Sequence, residues 1–104
     1  MTELRDTSIY ATFEWDTEKA EGNYRKHGVA FETATKVFAD PFAMEWIDPL
    51  RADYGEERVL ITGRAEGLLL AVVYTERGEN IRIISARRAT KSEHDDYYRQ
   101  NAKD

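Results

Sequence analysis

The chain contains no cysteine, which rules out a disulfide framework and thiolate metal sites. Histidine is scarce too: His27 and His94 are too few for a histidine-rich metal centre, and no metal or cofactor is expected. No apolar run approaches the roughly 20 residues that span a bilayer, so no membrane partner is expected. The opening stretch MTELRDTSIYATFEW shows no basic segment followed by an apolar one, and the expected location is the cytoplasm. Positive charge is in the minority, with 15 Lys and Arg against 20 Asp and Glu, a net charge of −5. Such a chain does not hold nucleic acid loosely through bulk charge. One focused anion site remains compatible with it.

What is present fits one globular domain over residues 1–104. Hydrophobic residues make up 41% of the chain and charged residues 34%, and the length buries a modest single core. Internal repeats, linkers and low-complexity segments are missing. The charge is unevenly spread. Residues 1–24 carry six acids and two bases, and residues 30–57 carry seven acids and two bases. Against this stand two basic islands: RKHGV at 25–29, and residues 77–91 with five bases and one acid.

Punctuation and periodicity give the elements. Asp16 is placed to cap a helix over 17–27, Gly28 to end it, and Lys26 and His27 then lie in the last turn, where cations suit the helix dipole. Phe13 and Trp15 flank the cap as a hydrophobic staple would. Phe31, Ala34, Val37 and Phe38 predict a second helix that Pro41 stops. A short strand is expected around 43–47, then a loop through Pro49 and Gly55. The period next changes to two: RVLITG at 58–63, LLLAVVYTE at 68–76 and IRIISAR at 81–87 read as strands, joined by turns at AEG and RGEN. Thr90 and Glu93 form a capping box that starts a C-terminal helix through Tyr97 and Tyr98. The expected fold is α+β: a small antiparallel sheet of three to four strands, two N-terminal helices and a C-terminal helix.

The stretch IRIISARRAT threads arginines through a strand that is otherwise apolar. A guanidinium is almost never buried without a partner. Either these arginines have acidic partners within the fold, or they line a surface meant for an anion. Simple alternation puts Ile81, Ile83, Ser85 and Arg87 on one face and Arg82, Ile84, Ala86 and Arg88 on the other, so Arg82 and Arg88 would point to the open side of the sheet. Arg58 opens a neighbouring strand and Arg77 sits in the adjoining turn. Each residue also has a plainer reading: arginines as surface ion pairs, His27 as a helix-end residue, Glu57 as a neighbour of Arg58, Tyr97 and Tyr98 as packing residues.

Taken in order, FEWD at 13–16, Lys19, Asn23, KHGV at 26–29, FE at 31–32, VFADP at 37–41, EER at 56–58 and IRIISARRAT with Glu93 and a following Tyr resemble the BrnT family of bacterial toxins. The resemblance runs from about Phe13 to Tyr98 and leaves 1–12 as an N-terminal extension. It implies a RelE-like ribonuclease that cuts RNA without metal and blocks translation. It also implies a BrnA-type antitoxin partner that carries a ribbon-helix-helix DNA-binding part, so that operator DNA is reached only through the antitoxin. The site residues it implies are Lys26, His27, Glu57, Arg58, Arg77, Arg82, Arg87, Arg88 and Tyr98. Their chemistry suits the task. Metal-free cleavage needs a base for the 2′-hydroxyl, an acid for the 5′-oxygen and cations on the developing phosphorane, roles for which histidine and arginine are fitted. Two rivals stand beside the ribonuclease: an antitoxin-binding co-repressor module with little catalysis of its own, and an interaction domain whose arginines are salt-bridged.

Overall fold

The computed structural model describes residues 12–48 and 57–102. Strand β1 (Thr12–Glu14) leads into helix α1 (Thr17–His27), whose ends are as the sequence predicts. The Asp16 side chain accepts the Lys19 backbone N–H at 3.1 Å, and left-handed Gly28 sends its N–H back to the Tyr24 carbonyl at 2.8 Å. The expected second helix is one α-turn, α2 (Phe31–Ala34), continued as a 3₁₀ helix over Thr35–Ala39. Thr33, Thr35 and Val37 are β-branched and stiff, and the Thr35 hydroxyl donates to the Glu32 carbonyl at 2.7 Å. Phe31, Ala34 and Val37, all fully buried, are spaced by three, which three residues per turn lines up on one side.

Four further strands follow or pair with β1: β2 (Met44–Asp48), β3 (Arg58–Ala65), β4 (Leu68–Arg77) and β5 (Asn80–Arg88). The order across the sheet is β1-β5-β4-β3-β2. All pairs are antiparallel except β1 with β5, which is parallel. The sheet is therefore mixed and five-stranded, not antiparallel with three or four strands. The extra strand is TFE, three residues that register Phe13 against Ile81 and Glu14 against Arg82. The expected loop through Pro49 and Gly55 lies outside the described residues. Glu66 and Gly67, both at positive φ, close the β3–β4 hairpin as a two-residue turn whose twist matches the strands.

One face of the sheet is covered by α1, α2 and the 3₁₀ turn. Phe31, Val37, Leu70, Val72, Tyr74 and Ile83 form its core, with Phe38 bridging Phe13 and Tyr74 at ring distances of 5.2 and 5.0 Å. Trp15 meets Phe31 edge-on. On the other face, helix α3 (Lys91–Asn101) closes one end. Its capping box is present, Tyr97 is buried and donates to Asp40 at 2.7 Å, and Tyr98 hydrogen-bonds Arg64. Beyond α3 this second face is the open face. It is crossed by the row Trp46–Leu60–Val73–Ser85, one residue from each of four strands. Among the described residues no helix is long and apolar enough to cross a membrane.

Candidate functional site

A β-bulge decides which arginines share the open face. Val73 pairs with Ser85 but Tyr74 pairs with Ile83, so Ile84 is the extra residue on β5. The alternation expected from the sequence holds up to Ile83 and inverts after it. Arg82, Ser85 and Arg87 lie on the open face, while Ala86 and Arg88 fall with the helix-covered one. The expectation that Arg82 and Arg88 are face-mates is corrected by this one-residue slip.

Below the row of Trp46 runs a polar row. Arg58 stands opposite Asp48, Thr75 opposite Arg82, and Arg82 opposite Glu14, with Arg77 opposite Asn80 one step further. Arg58 comes from β3, Arg77 from β4 and Arg82 from β5. All three line one cavity of about 160 Å³, together with Lys19 and Asp16 from the start of α1 and with Ile83 and Ile84. That is several times the roughly 30 Å³ a water occupies in the liquid, and leaves room for a phosphate group. Four cations and one carboxylate thus face a small space.

Glu14 stands at the margin. Arg82 Nη1 donates to its Oε2 at 2.8 Å and Asn80 Nδ2 to its Oε1 at 2.9 Å. Those bonds, Asn80's first and Arg82's second, hold the Glu14 carboxyl below the usual range. It is an ionised, oriented acceptor beside the arginines, and Arg82 keeps most of its donors for another anion.

The other expected site residues are placed elsewhere. α1 runs alongside β5 in the same sense: Lys19 lines the cavity with Ile83, and Asn23 one turn later bonds Ala86. Lys26 and His27 are exposed in the last turn, about 12 Å further along the axis than Lys19. Arg88 is exposed at that same far end of β5. Arg87 makes a two-pronged pair with Glu93 at 2.9 and 3.0 Å, which raises its pKa and lowers that of Glu93. Tyr98 lies on α3 against Arg64. The Glu57 side chain lines a different cavity, shared with Glu45, Tyr74 and Glu76, whose three glutamates disfavour a phosphate. Of nine expected residues, the structure brings together Arg58, Arg77 and Arg82. Among the described residues no cluster of three or more His, Asp or Glu could hold a metal ion.

Lys19 and Asp16 line the cavity and Glu14 adjoins it through Arg82, although the sequence offers Asp16 only as a helix cap and none of the three as a site residue. Their one signal was membership of the FEWD…Lys19 run, since nothing in their spacing tells a cap from a site.

Residues 15–93 match the family described as the ribonuclease toxin BrnT of type II toxin-antitoxin systems. The chain belongs to the BrnT family. The match runs from Trp15, just before α1, into the first turn of α3 and takes in Lys19, Arg58, Arg77 and Arg82. No curated protein matches the chain. As a BrnT protein it is a ribonuclease toxin by family, with RNA as substrate and an antitoxin as partner.

Proposed function

We propose that this BrnT protein cleaves RNA without a metal ion, at a phosphate held in the Arg58–Arg77–Arg82 cavity. One observation carries the reading: three arginines from three adjacent strands, joined by Lys19, line a single phosphate-sized space. In the proposed reaction the 2′-hydroxyl attacks the adjacent phosphorus. A bond from phosphorus to O2′ forms and the bond to O5′ breaks, leaving a 2′,3′-cyclic phosphate and a 5′-hydroxyl. The arginines hold the phosphate oxygens and stabilise the charge that grows on them in the phosphorane. Glu14 accepts the 2′-hydroxyl proton, since it is ionised and fixed by Asn80 and Arg82, and Lys19 supplies a proton to the leaving oxygen.

Loss of RNA in this way blocks translation. A BrnA-type antitoxin neutralises the toxin and tethers it to operator DNA through its own ribbon-helix-helix part. We read residues 1–104 as one RelE-like toxin domain, with 1–12 as an N-terminal extension. The net charge of −5 favours a second reading, a co-repressor module that holds the antitoxin and cuts little. Purified protein incubated with RNA in excess chelator separates the two. Fragments ending in cyclic phosphate support the enzyme, and loss of those fragments in Arg58→Ala and Arg82→Ala assigns the site. Intact RNA, together with unimpaired growth when the protein is induced without an antitoxin, would leave the co-repressor.

A further inference from the structure

We propose that Trp46 is a base-stacking residue, and that the substrate is RNA whose base beside the scissile phosphate is unpaired. The inference rests on the reading of the arginine cavity as the phosphate site.

Trp46 is on the open face because its neighbour is not. Glu45 accepts the Tyr74 hydroxyl at 3.1 Å on the helix-covered face, so alternation along β2 turns the next side chain the other way. There Trp46 is 39% exposed, although tryptophan is highly buried on average. Among the described residues its indole makes no ring contact. Trp15, by contrast, is spent on Phe31.

The position matters more than the exposure. Trp46 stands directly opposite Leu60 on β3, and Arg58 is two residues before Leu60 on the same strand and face. Trp46 and Arg58 are thus diagonal neighbours across one strand pair, with Cα atoms about 7–8 Å apart, within reach of an aromatic and a long side chain. That is the span of one nucleotide. A phosphate on Arg58 and Arg82 therefore leaves the adjoining base over the Trp46–Leu60–Val73 row. In this apolar floor Leu60 and Val73 are half-buried and Trp46 is exposed, its indole the one large ring. Stacking on an indole uses the face of a base, which every base has, so it selects unpaired RNA without selecting sequence. A base locked in a duplex hides that face.

The experiment uses the full chain and a short single-stranded oligoribonucleotide with every 2′-hydroxyl methylated, which cannot form the cyclic phosphate. Binding is read by anisotropy of a labelled strand and by tryptophan emission, and cleavage by KM and kcat on the unmodified strand. The wild type should bind with quenched emission. Trp46→Leu should raise Kd and KM about tenfold with kcat within a factor of two. Trp46→Phe should keep affinity near wild type and lose the quench, whereas Trp15→Phe should keep both. The same sequence as a perfect duplex should bind the wild type no better than the single strand binds Trp46→Leu. Wild-type KM in a folded Trp46→Leu, a quench that survives in Trp46→Phe, or equal binding of duplex and single strand each overturns the stacking role. If Arg58→Ala and Arg82→Ala abolish cleavage at the same time, the phosphate reading stands and only the stacking falls. A wild type that neither binds nor cleaves removes both.

Discussion

Asn23 and Ala86 exchange two hydrogen bonds as facing strand residues do. The Ala86 N–H donates to Asn23 Oδ1 at 3.1 Å, and Asn23 Nδ2 donates to the Ala86 carbonyl at 2.8 Å. β1 stops at Glu14 opposite Arg82, and the bulge at Ile84 follows. Beyond it one side chain of α1 pairs the edge of β5 where a strand would otherwise have to continue. A third bond, from Nδ2 to the Val29 carbonyl at 3.0 Å, pins the turn after Gly28. Asn23 thereby sets the depth of α1 against β5, and with it the distance of Lys19 from Arg82.

Replacing Asn23 should be costly for stability. Asn23→Ala leaves three buried backbone groups without partners, each worth about 1 kcal/mol or more, and should lower unfolding stability by about 3 kcal/mol. Asn23→Asp should be at least as damaging, because a carboxylate cannot donate to the carbonyls of Ala86 and Val29 and would face both as a buried charge. Urea unfolding of the two variants checks the order. If Asn23→Asp is as stable as wild type at neutral pH, the side chain is not the pairing group described.

Much of this arrangement was legible in the sequence. Local chemistry that is complete within a few residues could be read directly: the Asp16 and Gly28 ends of α1, the Thr90–Glu93 box, the two-residue period from Arg58 to Thr75. What escaped depends on partners distant in sequence. TFE is too short to show a period, and it is a strand only because residues 80–82 offer an edge. The bulge at Ile84 leaves no mark in IRIISAR, since Ile suits either side of a bulge and Ser85 suits either face. The candidate cavity was half visible for the same reason. The sequence offers the arginines, but register gathers Arg58, Arg77 and Arg82, engages Arg87 with Glu93 and leaves Arg88 in solvent.

Gly63 marks the closest approach of sheet and 3₁₀ turn. A Cβ built there meets Val37 Cγ1 at 2.9 Å, Ala43 Cβ at 3.1 Å and Asp40 Oδ2 at 3.2 Å. Asp40 cannot retreat easily, since it holds the Arg64 N–H at 2.8 Å and the Tyr97 hydroxyl at 2.7 Å. Val37 is fully buried. Gly63→Ala should therefore destabilise by about 1–3 kcal/mol through overpacking, although alanine ordinarily suits a strand no worse than glycine. A thermal midpoint equal to or above wild type would show that the interface has room.

The Arg87–Glu93 pair ties β5 to α3 and gives stability a defined dependence on pH. Arg87 holds the Glu93 carboxyl below its ordinary value of 4.5. A carboxyl depressed by folding contributes fully above that value and loses its contribution as pH falls through the folded pKa. Glu93→Gln keeps a side chain able to close the capping box but removes the charge. It should cost about 1 kcal/mol at pH 7, and the gap to wild type should narrow as pH falls below 4.5 through the lowered folded pKa. A constant gap across that range would assign the cost to packing instead.

Arg82 and His27 should give opposite results in a cleavage assay. Arg82 enters the phosphate cavity while paired to Glu14, and the pair is partly open to water, with side-chain exposures of 28% and 31%. Its net contribution to stability is small, as for exposed ion pairs in general. Arg82→Ala should therefore unfold at nearly the wild-type denaturant concentration and yet cleave RNA about two to three orders of magnitude more slowly, the effect of removing a cation aimed at transition-state charge. His27 has the residue type that acid–base chemistry favours, but it is exposed at the end of α1 remote from the cavity. His27→Gln should keep kcat within about threefold of wild type and leave the shape of the pH–rate profile near neutrality unaltered. At most it should lose the few tenths of a kcal/mol to about 1 kcal/mol that a cation contributes at a helix C-terminus. A flattened profile with a hundredfold loss in His27→Gln would move the proton-transfer step to the far end of α1. It would also displace either Glu14 or Lys19 from the role assigned to it, because one of the two proton transfers would then belong to His27.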